Sequence, residues 1–135
     1  MLNKKLKKAL CATVASLCLV ASGTTVFAGT IPFDVTVGGS GTQDPLSKRE
    51  IKAADGDNYA YFRGATFSSD NGINTRSILL NDNSIYTHKT AKLTTGNVGT
   101  TLKRKYNTTA PGNVYYYMRA VAAGGRVKVT GYYCP

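Results

Sequence analysis

Among 135 residues there is one glutamate, Glu50, and one histidine, His88. A carboxylate base, an imidazole acid and cations to hold a phosphate are the parts of general acid–base cleavage of a phosphodiester. Cations abound, with 17 Lys and Arg against 7 Asp and Glu. Residue types alone meet by chance, however, and no spacing ties Glu50 to His88. Partners for a Ser-His-Asp triad or a zinc site around His88 are not advertised either. Asp55-Gly56-Asp57-Asn58 sets two carboxylates two residues apart, as calcium loops do. Such a loop needs a bidentate glutamate at its twelfth position, where this chain has Thr66. The expectation is a turn at 55–58, no metal, no cofactor and no catalytic residue.

The most definite spacing lies near the C-terminus, where residues 112–135 read GNVYYYMRAVAAGGRVKVTGYYCP. In a strand, alternate side chains face opposite ways. Val114, Tyr116, Met118, Ala120 and Ala122 then share one face of a first strand, and Val127, Val129, Gly131 and Tyr133 one face of a second. The opposite faces collect Tyr115, Tyr117, Arg119, Arg126, Lys128 and Tyr132. Gly124-Gly125 between the two runs reads as a tight hairpin, which would join those six residues into one exposed surface. Arginine brings charge and a planar fork, and tyrosine a stacking face with a polar tip. Such a surface suits single-stranded nucleic acids, sugars and anionic wall polymers. Leu102-Lys103-Arg104-Lys105-Tyr106 could extend it. The same residues also stabilise a sheet without any ligand, through cross-strand Tyr–Arg pairs and lysines that guard sheet edges.

The elements that position these side chains are strands. Beyond residue 28 no segment keeps a helical pattern for three turns. Short runs rich in Val, Ile, Thr, Tyr and Phe recur at 31–37, 49–53, 59–67, 75–80, 84–93, 98–106, 114–122 and 126–133. Between them stand turn formers: Asp55-Gly56-Asp57-Asn58, Asp70-Asn71-Gly72, Asn81-Asp82-Asn83 and Pro111-Gly112-Asn113. The pattern predicts an all-β fold, an antiparallel sandwich or barrel of about seven or eight short strands. Residues 38–45, GGSGTQDP, read as a flexible connector, and 29–135 as one domain.

The chain opens with the three-part build of a secretory signal peptide. Lys4, Lys5, Lys7 and Lys8 precede an apolar run from Ala9 to Ala21, and Val26-Phe27-Ala28 supplies small residues for cleavage after Ala28. The apolar run is short of the roughly 20 residues that cross a bilayer, so secretion is expected, with no membrane anchor after cleavage. Leu10 before Cys11 and Leu17 before Cys18 do not suit lipidation. Loss of the leader takes four lysines from a formal charge of +10 and leaves +6. It also leaves Cys134 as the only cysteine, so no internal disulfide can form. That thiol could pair between two chains and make a homodimer, or simply pack.

With its leader, the segment Tyr61-Phe62-Arg63, an Asn-rich turn, a Thr-rich strand and a closing Val127-Lys128-Val129-Thr130-Gly131-Tyr132, the chain resembles a family of uncharacterised small secreted β domains of Gram-positive bacteria. The resemblance implies the fold and export, and brings no reaction and no catalytic residues. The leading functional expectation is a secreted, non-enzymatic binding module at the bacterial surface or in the medium, for anionic envelope polymers or a protein partner. The alternative is a secreted antimicrobial or toxin-like effector; it would not lyse membranes through a helix, since no amphipathic helix is present. A third reading is a small secreted ribonuclease using Glu50 and His88.

Overall fold

The computed structural model describes residues 29–38 and 49–135. The signal peptide expected at 1–28, and all but the first residue of the connector expected at 38–45, lie outside the described residues. Nine strands follow in order: β1 (Ile31–Val37), β2 (Arg49–Ile51), β3 (Tyr59–Phe67), β4 (Ile73–Leu79), β5 (Asp82–Tyr86), β6 (Ala91–Leu93), β7 (Thr101–Lys105), β8 (Tyr115–Ala122) and β9 (Val127–Cys134). A 3₁₀ turn, Thr95–Asn97, sits between β6 and β7. Sheet 1 has the order β1-β9-β3-β7; sheet 2 has the order β2-β8-β4-β5, with β6 also paired to β4. Every pairing is antiparallel, so the chain is an all-β sandwich.

Period-two burial builds it. In β8, Tyr116, Met118 and Ala120 are buried while Tyr115 and Arg119 are exposed. In β9, Val127, Val129, Gly131 and Tyr133 are buried while Lys128 and Tyr132 are exposed. These inner pleats meet Phe33, Val35, Phe62, Ile73 and Leu93 in one core. Each such side chain taken fully out of water contributes about 1.5–3 kcal/mol. The core has a polar centre: Ser77 Oγ of β4 lies 2.6 Å from both the Tyr106 and the Tyr133 hydroxyls. Burial raises the pKa of both tyrosines. Burial also lifts Tyr116 to about 12, and its hydroxyl donates to the Pro111 carbonyl at 3.0 Å.

Two expectations are corrected. The first is the hairpin at Gly124-Gly125. β8 pairs with β2 and β4, whereas β9 pairs with β1 and β3. The link is an arch from one sheet to the other, so the dry pleats of β8 and β9 face each other across the core. A tight hairpin of type I′ or II′ needs a positive φ, and neither glycine has one. What they allow is close approach, since a Cβ on either would fall within 3 Å of the Asn71 side chain. The second is the strand at 84–93, which is divided. At Thr87 the chain crosses toward sheet 1: its N–H still donates to the Ser77 carbonyl of β4 at 2.9 Å while it bridges to Tyr106, and His88 N–H donates to the Lys105 carbonyl at 2.9 Å. His88 is therefore exposed in a bend, beside the β7 edge of sheet 1, rather than held in a strand.

Turn chemistry behaves as the residues dictate. Asp55 Oδ1 accepts from Asp57 N–H at 2.9 Å, closing an Asx turn over Gly56, whose φ is +76°. Asn113 takes the left-handed conformation at φ 59°, which asparagine tolerates better than most residues.

Candidate functional site

The arch separates the six residues expected on one surface. Tyr115, Tyr117 and Arg119 lie on the outer face of sheet 2; Lys128 and Tyr132 lie on the outer face of sheet 1, with Arg126 exposed just before β9. The sandwich thus carries two basic, aromatic faces, back to back.

On sheet 1, β3 adds what sequence reading had not assigned to the surface. Tyr59, Tyr61 and Arg63 alternate with buried Ala60 and Phe62 and so point outward. Register places Arg63 beside Tyr132, Tyr61 beside Lys103 and Tyr59 beside Lys105. Lys103 Nζ stands 4.0 Å from the Tyr59 ring centroid and 5.6 Å from that of Tyr61, within cation–π range. The Tyr61 hydroxyl donates to Asp57 Oδ2 at 2.6 Å. Burial first, then this bond to a carboxylate, raise its pKa. The alternation Tyr59-x-Tyr61-x-Arg63 was visible in the sequence, but which strand lies beside it was not.

Lys128 contributes less than expected. Its ammonium pairs with Asp34 Oδ2 at 3.2 Å, with both side chains more than half exposed, so the pair is worth at most about 1 kcal/mol. The cationic weight of sheet 1 sits instead at its β7 edge. There Lys103 and Lys105 border an open cleft of about 470 Å³, also lined by Tyr59, His88, Lys89 and Arg104. No carboxylate lines it. Arg104 Nε donates to the Thr90 carbonyl at 2.8 Å and one of its terminal nitrogens to the Lys103 carbonyl at 2.9 Å. The backbone thereby holds the guanidinium at the cleft.

On sheet 2, Arg49 lies over the Tyr115 ring at 5.4 Å and Arg76 over the Tyr86 ring at 5.0 Å. The Tyr117 hydroxyl donates to Asn83 Oδ1 at 3.3 Å. Arg76 stands directly opposite Arg119. Arg49 and Arg76 were not assigned to any site from sequence; Arg76 shares a pleat with Asn74 and Ile78, a mixed pattern that gives no signal by itself.

The remaining candidates are structural or far apart. Glu50 lies on β2, at one edge of sheet 2, whereas His88 follows β5, the strand at the other edge, and is bonded to Lys105 of β7. Three strand spacings, about 14 Å, separate those edges, so the structure does not bring the proposed base and acid together. Glu50 Oε1 accepts from Ile51 N–H at 2.7 Å. Asp55 and Asp57 are engaged in their turn and with Tyr61, and among the described residues no group of three His, Cys, Asp or Glu could hold a metal ion. Cys134 is buried, and burial raises its pKa; pairing between chains would first have to expose it. Lys52 is buried nearby, its ammonium donating to the Pro135 backbone oxygen at 3.4 Å.

Fold and site together define an antiparallel two-sheet β sandwich whose outer faces both carry arginine, lysine and tyrosine. No family model, no curated protein and no solved structure matches the chain.

Proposed function

We propose that this chain is an exported, non-enzymatic binding module for anionic polymers of the bacterial envelope, and that it binds them along the outer face of sheet 1 and around its β7 edge. The observation that carries the reading is Lys103 seated over Tyr59 and Tyr61, continuous with Lys105, Lys89, Arg104 and His88 around a cleft without a carboxylate. A polymer with charged groups spaced by apolar or sugar units finds both halves of its chemistry there: ammonium and guanidinium for the charges, phenol rings for what lies between. An open groove along a sheet edge accepts a chain of indefinite length, which a closed pocket does not. The formal charge of +6 left beyond residue 28 adds long-range attraction that salt screens.

The test is co-sedimentation with purified Gram-positive cell wall at 50 and 500 mM salt. Binding at low salt should fall by about tenfold when Lys103→Gln and Lys105→Gln are combined, a loss of roughly 1.4 kcal/mol, while Lys128→Gln, already paired with Asp34, leaves it nearly unchanged. Absence of low-salt binding by the wild type, or equal binding by the double variant, defeats the reading.

A further inference from the structure

The bend that follows β5 lies along the β7 edge of sheet 1, and it is fastened at both ends. At its start Thr87 is buried: its N–H donates to the Ser77 carbonyl at 2.9 Å, and its hydroxyl accepts from the Ser77 N–H at 3.3 Å. Asn107 secures the same end. Its N–H donates to the Tyr86 carbonyl at 2.8 Å, and its side-chain oxygen accepts from the Tyr86 N–H at 3.0 Å. At the far end Arg104 Nε donates to the Thr90 carbonyl at 2.8 Å. Between these fastenings stand His88 and Lys89, both exposed and both lining the cleft. The bond from His88 N–H to the Lys105 carbonyl, at 2.9 Å, uses only the backbone, so the imidazole stands in solvent at the cleft.

The charges around that ring are of one sign. β7 brings Lys103, Arg104 and Lys105 to the cleft, and the bend itself brings Lys89. Tyr59 of β3 and Tyr106 supply phenols. The neighbouring β6 carries one more exposed cation, Lys92, and no acid. The acid nearest to Tyr59 in chain order is Asp57, which accepts from the Tyr61 hydroxyl at 2.6 Å. On β5, Asp82 accepts from the Ser84 amide and hydroxyl. Neither carboxylate lines the cleft. Lysine, arginine, tyrosine and carboxylate side chains ordinarily keep their charge state between pH 5 and 8; imidazole is the one that changes there. His88 is the only histidine in the sequence.

We infer that His88 is a proton-dependent anion contact of this cleft, so that acid tightens the hold on an anionic polymer and alkali loosens it, a role that rests on the polymer-binding reading of the same edge. An anion lying against the ring favours imidazolium over imidazole. Binding therefore takes up a proton, and by reciprocity a proton taken up strengthens binding. Affinity is greatest below the ordinary imidazole range and declines as pH rises through it. The fastened bend matters to the size of the effect. A backbone already fixed loses little freedom when ligand arrives, so the added charge is delivered at the cleft instead of being averaged over a loose loop.

The experiment measures the affinity of the full chain for poly(glycerol phosphate) at pH 5.5 and at pH 8, on either side of the ordinary imidazole range, at one fixed low ionic strength. The phosphodiesters of this probe keep their charge across the interval, so the change in pH falls on the protein alone. The wild type should bind about fivefold more tightly at the lower pH. His88→Gln should bind at both pH values as the wild type does at pH 8. His88→Lys, which carries its charge throughout, should bind at both as the wild type does at pH 5.5. Both substitutions fall on an exposed side chain whose backbone makes the anchoring bond, and both are expected to fold. Equal or weaker wild-type affinity at the lower pH, or a pH dependence that persists in His88→Gln, overturns the inference and leaves the polymer reading standing. Absence of binding at both pH values overturns the two together.

Discussion

On the outer face of sheet 1 the charges have company. Lys128 meets Asp34, Lys103 meets two tyrosine rings, and the Tyr61 hydroxyl meets Asp57. On the outer face of sheet 2, Arg49 and Arg76 also lie over tyrosine rings, but Arg76 stands opposite Arg119 in register and no carboxylate pairs with either among the described residues. Both faces are written with tyrosine, arginine and lysine, and both rest on the same core. The difference lies in cross-strand register, which a composition count cannot see. An opposite charge across the strands of sheet 1 adds a little stability, whereas like charges opposed across the strands of sheet 2 take a little away. The two should therefore answer differently to substitution.

The largest effect should follow Gly131→Ala. A Cβ there would collide with the Arg63 carbonyl and the Phe33 ring, forcing β9 away from β3 at a cost of about 3 kcal/mol, seen as a lower urea midpoint. Because one core serves both sheets, polymer binding on sheet 1 should weaken in step with unfolding of the whole sandwich; binding lost well before the urea transition would mean the sheets fold as separate units.

Next comes Ser77→Ala, which strips the Tyr106 and Tyr133 hydroxyls of their shared partner for about 2 kcal/mol in the same assay. Substitution of Ser77 changes neither outer face, so polymer binding should survive at temperatures where the variant stays folded.

Alkali probes the same centre. Burial raises the pKa of Tyr106, Tyr116 and Tyr133 above the ordinary 10.0, to about 12 for Tyr116. The unfolded chain therefore releases these protons first, and the folded state binds more of them above pH 10. Their contribution is complete below pH 10 and is lost as pH rises through 12 and beyond. Urea unfolding at pH 8, 10 and 11 should show stability beginning to fall by pH 10 and falling most steeply in the last interval, with a shallower fall in Tyr116→Phe.

The smallest effects are the most telling for the comparison of faces. Lys128→Gln removes an exposed ion pair and should lower stability by at most about 1 kcal/mol. Arg119→Gln removes a repulsion and should raise it by a few tenths, roughly 0.3 kcal/mol, in chloride. Equal signs would erase the distinction drawn between the sheets.

Much of this was legible in the residues. Strands 31–37 and 59–67 begin and end where their composition changes, and the turn at Asp55-Gly56-Asp57 closes as an Asx turn should. Which of three consecutive tyrosines goes inside was legible too: Tyr116 is buried between Tyr115 and Tyr117. The joining of β8 to β9 was not, because a hairpin and an arch impose the same alternation on both strands; only their partners differ, and those lie far off in sequence. His88 escaped for a related reason. Thr87 keeps its bond to Ser77 of sheet 2 and also bridges to Tyr106, a pairing between distant residues that no local pattern announces. The exposed row Tyr59, Tyr61 and Arg63 could be read from its alternation, but the lysine above it needed the register.

The place of β9 has a kinetic consequence. It lies between β1 and β3, so among the described residues β1 waits for β9 before it has a neighbour in its sheet. Pairings of such long sequence separation make folding slow. A ribosome would release nearly the whole polypeptide before Ile31 could find Tyr133. If residues 1–28 direct export, the chain would reach a translocation channel still extended, kept in a threadable state by topology alone.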